Sequence, residues 1–488
     1  MSDPQLDLDT RASSEGWWPM LPGQRTWGMI ALMGMSISAA VATWVFIIGG
    51  TVATYLGAIP GTAVMIAGSL VGILLVVLAT LPVASRFGID SIAALRPQMG
   101  NRGAYFGLVL LTMSVVGWNS VLMIFLGRAS AEILIALELV GEGARGFLVP
   151  AFSLVSTVAV WLVLRRGPEI MKSTSTLVAG LVSVLGVFII VQLVRDIGWD
   201  TLAAAEPLAP SESKLYNYAT GFELLCAINL AWWPYVGGLV RTTAGARKAL
   251  WPVVIGLGLP VSMLSIIGLF AALAVPESGG DPTKFLIALG GVQGGVPALA
   301  FIILANFGTA LVGTYVAALG LAQVPALQGR LSWNVTTGMG VVPVAVVATF
   351  FSAQFFDNIG VFLAFLGVTF APICGIQIAD YYILRRRPSL RGMFVHGPGT
   401  PYHYWKGFNP AGLVAVPVGV ATYIYLLNPL TYVSHAPYQY VSATVPSAVV
   451  AGAAYALIMK LTASRRQPDQ VEESTVDNGR TEPTSVPS

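Results

Sequence analysis

The chain has 488 residues, of which 55% are hydrophobic and 10% charged, with a mean hydropathy of +0.75 and a formal net charge of +3. Soluble domains carry about 25% charged residues, so this composition is short of polar groups for a water-exposed surface and suits a protein solvated by lipid. The net charge is too small to point to a nucleic-acid partner, and Cys226 and Cys374 sit inside apolar runs, where they read as small buried hydrophobes rather than a disulfide or a metal site.

The first 26 residues are polar and acidic and lack an apolar core, so they read as a cytoplasmic tail rather than a cleavable signal peptide. Trp17, Trp18 and Trp27 flank the first apolar run and suit the membrane interface. Roughly 20 apolar residues cross a bilayer as a helix, and twelve such runs follow. They lie near 28–55, 61–85, 104–127, 147–165, 175–195, 219–240, 251–275, 297–325, 334–352, 359–384, 408–427 and 438–461. Residues 27–461 are thus expected to form one all-α polytopic domain of twelve transmembrane helices. The segment 462–488, rich in Ser, Thr, Pro, Asp and Glu, is expected to be a disordered cytoplasmic tail.

The connections test this count. With the N-terminus inside, 21 of the 26 Lys and Arg residues fall in cytoplasmic segments and 5 outside. That asymmetry is the positive-inside pattern, and it predicts a multi-pass protein of an inner (plasma) membrane with both termini cytoplasmic. No Lys, Arg or His falls in the interior of a run, Arg165, Arg195 and Lys460 lying at run ends, and His396, His403 and His435 are all in connections, which argues against a buried histidine relay.

Backbone interruptions at membrane depth persist where they line a cavity, and transporter sites are often built from two interrupted helices in matching positions of two halves. The first run carries Trp44 and then Gly49-Gly50; the sixth carries Trp232 and then Gly237-Gly238, at an offset of 188 residues. Pro234 removes a backbone donor and is expected to unwind or kink the sixth helix near 229–233, beside Asn229, Trp232 and Trp233. The third run carries Trp118-Asn119 near its middle, an indole face for stacking and an amide for pairing with ring N–H and C=O groups; an interhelical hydrogen bond is the other reading of Asn119. The eighth run carries Asn306, Thr309, Thr314 and Tyr315, and Asn306 lies 188 residues after Trp118. Glu223 in the sixth run is an intramembrane carboxylate, and so a candidate for the coupling proton, unless it lies at a solvated outer interface. Asp380, beside Arg385-Arg386-Arg387, reads as a salt-bridge anchor.

Several stretches together resemble the nucleobase:cation symporter-1 family, in its purine and cytosine permease branch. Ala371-Pro372-Ile-Cys-Gly375-Ile-Gln-Ile-Ala-Asp380-Tyr381 with Arg385-Arg386 is similar to that family's tail of helix 10. Tyr402-His-Tyr404-Trp405-Lys-Gly407-Phe-Asn409, the loop Phe87-Gly88 to Gly103, and Trp233-Pro234-Tyr235 resemble further family segments. The resemblance runs from about Trp27 to Lys460. It implies a leucine-transporter-like fold of two inverted five-helix repeats plus two C-terminal helices, working by alternating access.

It also implies a substrate site between helices 3 and 6. Trp118 takes the place of the helix 3 stacking residue, and Trp232 or Trp233 that of its helix 6 partner. Ala42, Asn119, Asn229, Gly313 and Thr314 are the other expected substrate contacts. Ser38, Val41 and Thr309 correspond to the family's cation site, and Phe362 and Leu363 to an outer gate.

The chain departs from the family at Leu122, where many members have Asn or Gln, and at Gly313 or Thr314, where many have an Asn that pairs with the ring. The substrate edge is therefore expected to be read differently. Gly308 precedes Thr309 and leaves one hydroxyl there, so proton coupling is expected, with sodium as the alternative. The expected function is symport of a small heterocyclic substrate: cytosine, a purine, allantoin, a hydantoin or a thiamine-like pyrimidine. An amino-acid or amine transporter of the same architecture is the alternative. The runs hold no nucleophile, base or metal cluster of the kind an enzyme needs, no repeated filter loop of a channel, and no phosphate-binding Gly-rich loop ending in Lys-Ser/Thr. No cofactor is expected, and the sequence is silent on the oligomeric state.

Overall fold

A computed structural model describes residues 19–165, 169–243, 245–322, 324, 331–395 and 397–463. The tails expected over 1–26 and 462–488 lie largely outside these residues, as does His396. Among the described residues the secondary structure is helical, with isolated bridges and no strand.

The main helices are α1 (Met29–Ala40), α2 (Val45–Tyr55), α3 (Ala58–Phe87), α4 (Tyr105–Ala136), α5 (Arg145–Leu164), α6 (Glu169–Ile197) and α7 (Lys214–Asn229). They continue with α8 (Trp233–Val240), α9 (Ala246–Ala274), α10 (Pro282–Ala322), α11 (Trp333–Phe350), α12 (Ile359–Ile378), α13 (Pro410–Leu426) and α14 (Thr444–Ala463). Each of the twelve apolar runs is occupied by helix. Helices α1 and α2 share the first run and meet at 68°; α7 and α8 share the sixth. Helix α10 changes direction at Gly291, whose φ of +56° only glycine adopts without strain.

Two inverted halves are visible in the contacts as well as in the order of helices. A Cβ added at Gly68 in α3 would lie 2.4 Å from the Phe222 carbonyl in α7. Gly256, 188 residues on, faces Met33 and Ser36 of α1 in the same way, and Phe222 less 188 is position 34. Gly237 abuts the Ser91 amide and Gly50 the Gly279 carbonyl, each at 2.3 Å or less from the missing Cβ; these two contacts also interchange under the same shift, to within a residue. Where α3 and α9 meet, the Ser69 hydroxyl donates to the Gly258 carbonyl at 2.7 Å, joining positions 189 apart. Small residues at these points let backbones approach closely, as membrane helix packing requires.

Helices α4, α7, α9 and α12 form the interior, and α5, α6, α11 and α14 the periphery. The peripheral helices expose Val155, Leu162, Val187, Val191, Val342 and Leu457. Such apolar rows are costly in water and at home in hydrocarbon.

Candidate substrate site

The break between α1 and α2 is the centre of the site. Val41 ends α1 in an extended conformation (φ −79°, ψ 95°), and Ala42, Thr43 and Trp44 are buried. The Thr43 hydroxyl donates to Oδ1 of Asn306 in α10, and both side chains are fully buried. The other amide atom of Asn306, Nδ2, is buried without a hydrogen-bond partner among the described residues. The next residue, Trp44, lays its ring 4.2 Å from that of Trp118 in α4, tilted by 40°. The Phe362 ring meets Trp118 edge-on at 5.2 Å and 75°. It rests on Gly117, where an added Cβ would lie 2.2 Å away. Leu122 is buried one turn further along α4. Trp44, Trp118 and Phe362 therefore form one aromatic cluster at the break, and Ala42 is buried two residues before Trp44. A centroid separation of 4.2 Å leaves no room for a third ring between the indoles.

Asn119 faces the seam between α4 and α10. Its Nδ2 donates to the Thr314 hydroxyl at 2.9 Å and the Ala310 carbonyl at 3.4 Å. Its Oδ1 would lie 2.4 Å from a Cβ at position 313, which is why Gly313 carries none. Asn119, Ala310 and Thr314 edge a small, water-sized cavity with Met123, Thr157 and Val344.

The sixth run is less open than its proline suggested. The chain passes from α7 to α8 through one 3-10 turn, Leu230–Trp232, and Pro234 falls in the first turn of α8. A helix needs no N–H from that position, so the backbone tightens rather than unwinds. Trp233 is fully buried. Its Nε1 donates to Gln377 at 2.6 Å, its ring lies 5.9 Å from Phe370, and its carbonyl accepts from the Ser91 hydroxyl. The ring also faces Gly107, eleven residues before Trp118 in α4 and hence roughly 16 Å away along the helix. Trp233 is not opposite Trp118 in this conformation. Trp232 is half-buried, with Tyr235 at 5.6 Å edge-on. Asn229 is fully buried and donates through Nδ2 to Ser69 and to the Leu225 carbonyl.

The expected cation residues flank the break. Ser38 lies in the last turn of α1, and the Val41 amide bonds to the Ile37 carbonyl. Thr309, half-buried, donates to the Ala305 carbonyl at 3.0 Å and lies three residues beyond Asn306.

Glu223 is buried, not solvated at an interface. Its Oε2 accepts from the backbone amides of Ala443 and Thr444, both at 3.0 Å, and Oε1 from the Thr444 hydroxyl at 2.6 Å. The Tyr423 hydroxyl is also bonded to it. The carboxylate thus satisfies the open amides at the start of α14. It borders a small, water-sized cavity that also touches Thr220, Leu363, Tyr423 and Tyr438. The two expected gate residues accordingly face different neighbours, Phe362 the indole cluster and Leu363 the Glu223 cavity.

Residues 19–451 match the family described as permease for cytosine/purines, uracil, thiamine and allantoin. The chain belongs to this nucleobase:cation symporter-1 family of permeases. Among curated relatives, the purine-uracil permease NCS1 of Arabidopsis thaliana is 23% identical over 494 residues, covering 93% of this chain and 79% of the relative. The inward-facing structure of Mhp1 superposes with a TM-score of 0.76 at 16% identity, covering 95% of each chain. Mhp1 is a transporter of the same family, and its closed conformation with bromovinylhydantoin bound gives 0.73 at 18% identity, covering 92% of this chain and 95% of that one. A Na+-coupled sialic acid symporter in its outward-open state gives 0.60 at 12%, covering 95% and 94%.

This member of the symporter family is a polytopic integral membrane permease and not an enzyme. Within it, sequence reasoning missed Thr43 and Trp44 as members of the site and Gln377 as the holder of Trp233. The echo of Trp44 with Trp232 was the available signal for the first pair. None marked Gln377, which sits inside an apolar run.

Proposed function

We propose that this permease imports a nucleobase or related heterocycle, such as cytosine, a purine, allantoin, a hydantoin or a thiamine-like pyrimidine, by cation symport with alternating access. The observation that carries the reading is the buried pair of indoles at a non-helical break inside the membrane. Irregular backbone there supplies polar groups to a ligand, and an indole face takes a flat ring. The relatives agree in kind, one being named for purines and uracil and another having been solved with a hydantoin.

Trp118 is the stacking face, and Trp44, which covers it here, swings aside or becomes the second face when a ring enters. Ala42 and Leu122 line the same space, and Asn119, Gly313 and Thr314 form the seam behind it. Trp232 is the other candidate indole of the sixth run, since Trp233 is held by Gln377. Asn229 braces α7 on α3 next to the 3-10 turn. Phe362 closes the ligand space at the α12 end, with Leu363 beside it.

For the coupling ion the reading is a proton taken by Glu223. Protonation removes acceptor capacity from the carboxylate, so proton uptake and release of the α14 N-terminus become one event. Sodium held by Ser38, Val41 and Thr309 is the alternative that the break itself supports. The distribution of Lys and Arg supports an inner (plasma) membrane location with both termini cytoplasmic.

The test is uptake into proteoliposomes of labelled cytosine, uracil, hypoxanthine, allantoin and hydantoin under imposed proton or sodium gradients. Gradient-driven accumulation of one heterocycle, competed by its congeners, supports the reading. Accumulation of amino acids or amines alone contradicts it.

A further inference from the structure

We infer that Asn306 reads the polar edge of the ligand, donating through Nδ2 to a carbonyl of the ring stacked on Trp118. This rests on the proposed stacking site and adds the residue that gives it chemical specificity. A buried amide N–H without an acceptor has given up its hydrogen bond to water with nothing in return, so an orphaned donor in a membrane interior needs a reason. Asn306 Nδ2 is such a donor: the side chain is fully buried, and only its Oδ1 is engaged, by the Thr43 hydroxyl.

Its position supplies the reason. Thr43 and Trp44 are consecutive residues of the break. One holds Asn306 and the other lies on Trp118. The amide is therefore held by the residue next in sequence to the one that lies on the stacking face, and the Thr43 hydroxyl holds Oδ1 so that Nδ2 is the atom left to donate.

The other two buried amides of the region are committed differently. Asn119 Nδ2 is used by Thr314 and Ala310 in the α4–α10 seam. Asn229 Nδ2 is used by Ser69 and Leu225, and the atom it leaves unpaired is Oδ1, an acceptor. Asn306 alone of the three offers a donor. A donor selects a ring carbonyl, as in uracil, hypoxanthine or hydantoin, over a ring that presents only hydrogens or weak acceptors at that edge.

The test compares oxo and thio forms of one ring, since a thiocarbonyl keeps the shape and the stacking face but accepts hydrogen bonds poorly. Binding of uracil, 2-thiouracil and 4-thiouracil, and of hypoxanthine and its 6-thio analogue, is measured for the purified protein and for Asn306→Ala, Asn306→Asp, Thr43→Val and Trp118→Ala. In the unaltered protein one oxo form should bind about tenfold better than its thio counterpart, the size of one net hydrogen bond. In Asn306→Ala that ratio should fall to about one. Asn306→Asp, nearly the same shape, should lose it too, so a poorly folding alanine variant does not remove the test. Thr43→Val should lower the ratio by freeing the amide to rotate.

A role confined to packing would weaken oxo and thio forms equally and leave the ratio unchanged. That result, with binding weakened in Trp118→Ala, overturns the inference and leaves the stacking site standing. Undiminished binding in Trp118→Ala overturns the site and the inference together.

Discussion

Thr444 donates twice to the carboxylate of Glu223, through its amide at 3.0 Å and its hydroxyl at 2.6 Å, across 221 residues of chain. The acidic group of the sixth run is thereby the cap of the last helix. A carboxylate at a helix N-terminus is favoured by the amides it pairs and by the helix dipole.

Replacing Glu223 by Ala takes the carboxylate away from two amides and from the hydroxyls of Thr444 and Tyr423 in a buried place. It is expected to lower stability by about 2–3 kcal/mol, read as the unfolding temperature in detergent. Glu223→Gln keeps one acceptor and the shape, so about half that loss is expected. If Glu223 also carries the coupling proton, the Gln variant binds substrate normally and loses uptake driven by a proton gradient. An unchanged pH dependence of uptake leaves Glu223 with the cap alone.

A sandwich of Trp118 with Trp233, one of its two candidate partners in the sixth run, should come apart experimentally. Trp118→Ala is expected to weaken ligand binding by roughly 1–3 kcal/mol, the worth of one aromatic face. Trp233→Ala empties a fully buried site and strands Gln377, and is expected to cost about 3–5 kcal/mol of stability. Ligand affinity and unfolding temperature measured on both variants check this. Equal affinity losses with equal stabilities would restore the sandwich.

Much of the fold was legible because lipid demands long apolar helices. The 188-residue echo was legible for a related reason, since Gly50, Gly68, Gly237 and Gly256 serve equivalent close approaches in the two halves. The site was legible in its parts and not in its pairing. Trp118 stands out as an indole beside an amide, but its neighbour Trp44 depends on a bend that no proline marks. Pro234, the conspicuous signal, falls where a helix start tolerates it. Glu223 reads as an expensive isolated charge until the far end of the chain supplies its partners.

Gly313 marks where α10 yields to Asn119. Gly313→Ala puts a methyl 2.4 Å from Asn119 Oδ1, and a strain of about 1–3 kcal/mol is expected. Asn119→Ala removes the obstructing amide, so the double variant should be more stable than the two single losses added together. Thermal unfolding of the three variants measures that difference; strict additivity would contradict the contact.

Asp380 gathers Gln98 at 2.7 Å, the Tyr455 hydroxyl at 3.0 Å and Arg386 at 3.3 Å. It ties the end of α12 to the 91–99 loop and to α14. Asp380→Asn keeps the shape and removes the charge, and is expected to cost about 1.5–3 kcal/mol. Tyr455→Phe should cost about 1 kcal/mol. Unfolding temperatures at matched salt check both.

The most direct test of the account is ligand-induced thermal stabilisation of the purified protein and of Trp118→Ala. The panel holds nucleobases, allantoin, hydantoin, thiamine and amino acids, at acid and neutral pH, with and without sodium. A ligand bound only by the native state raises stability by RT ln(1 + [L]/Kd), about 2.7 kcal/mol at a hundredfold excess over Kd. The account predicts that a flat heterocycle stabilises the protein and that Trp118→Ala loses that stabilisation. Stabilisation by amino acids alone, or by a heterocycle to the same degree in both proteins, would contradict it.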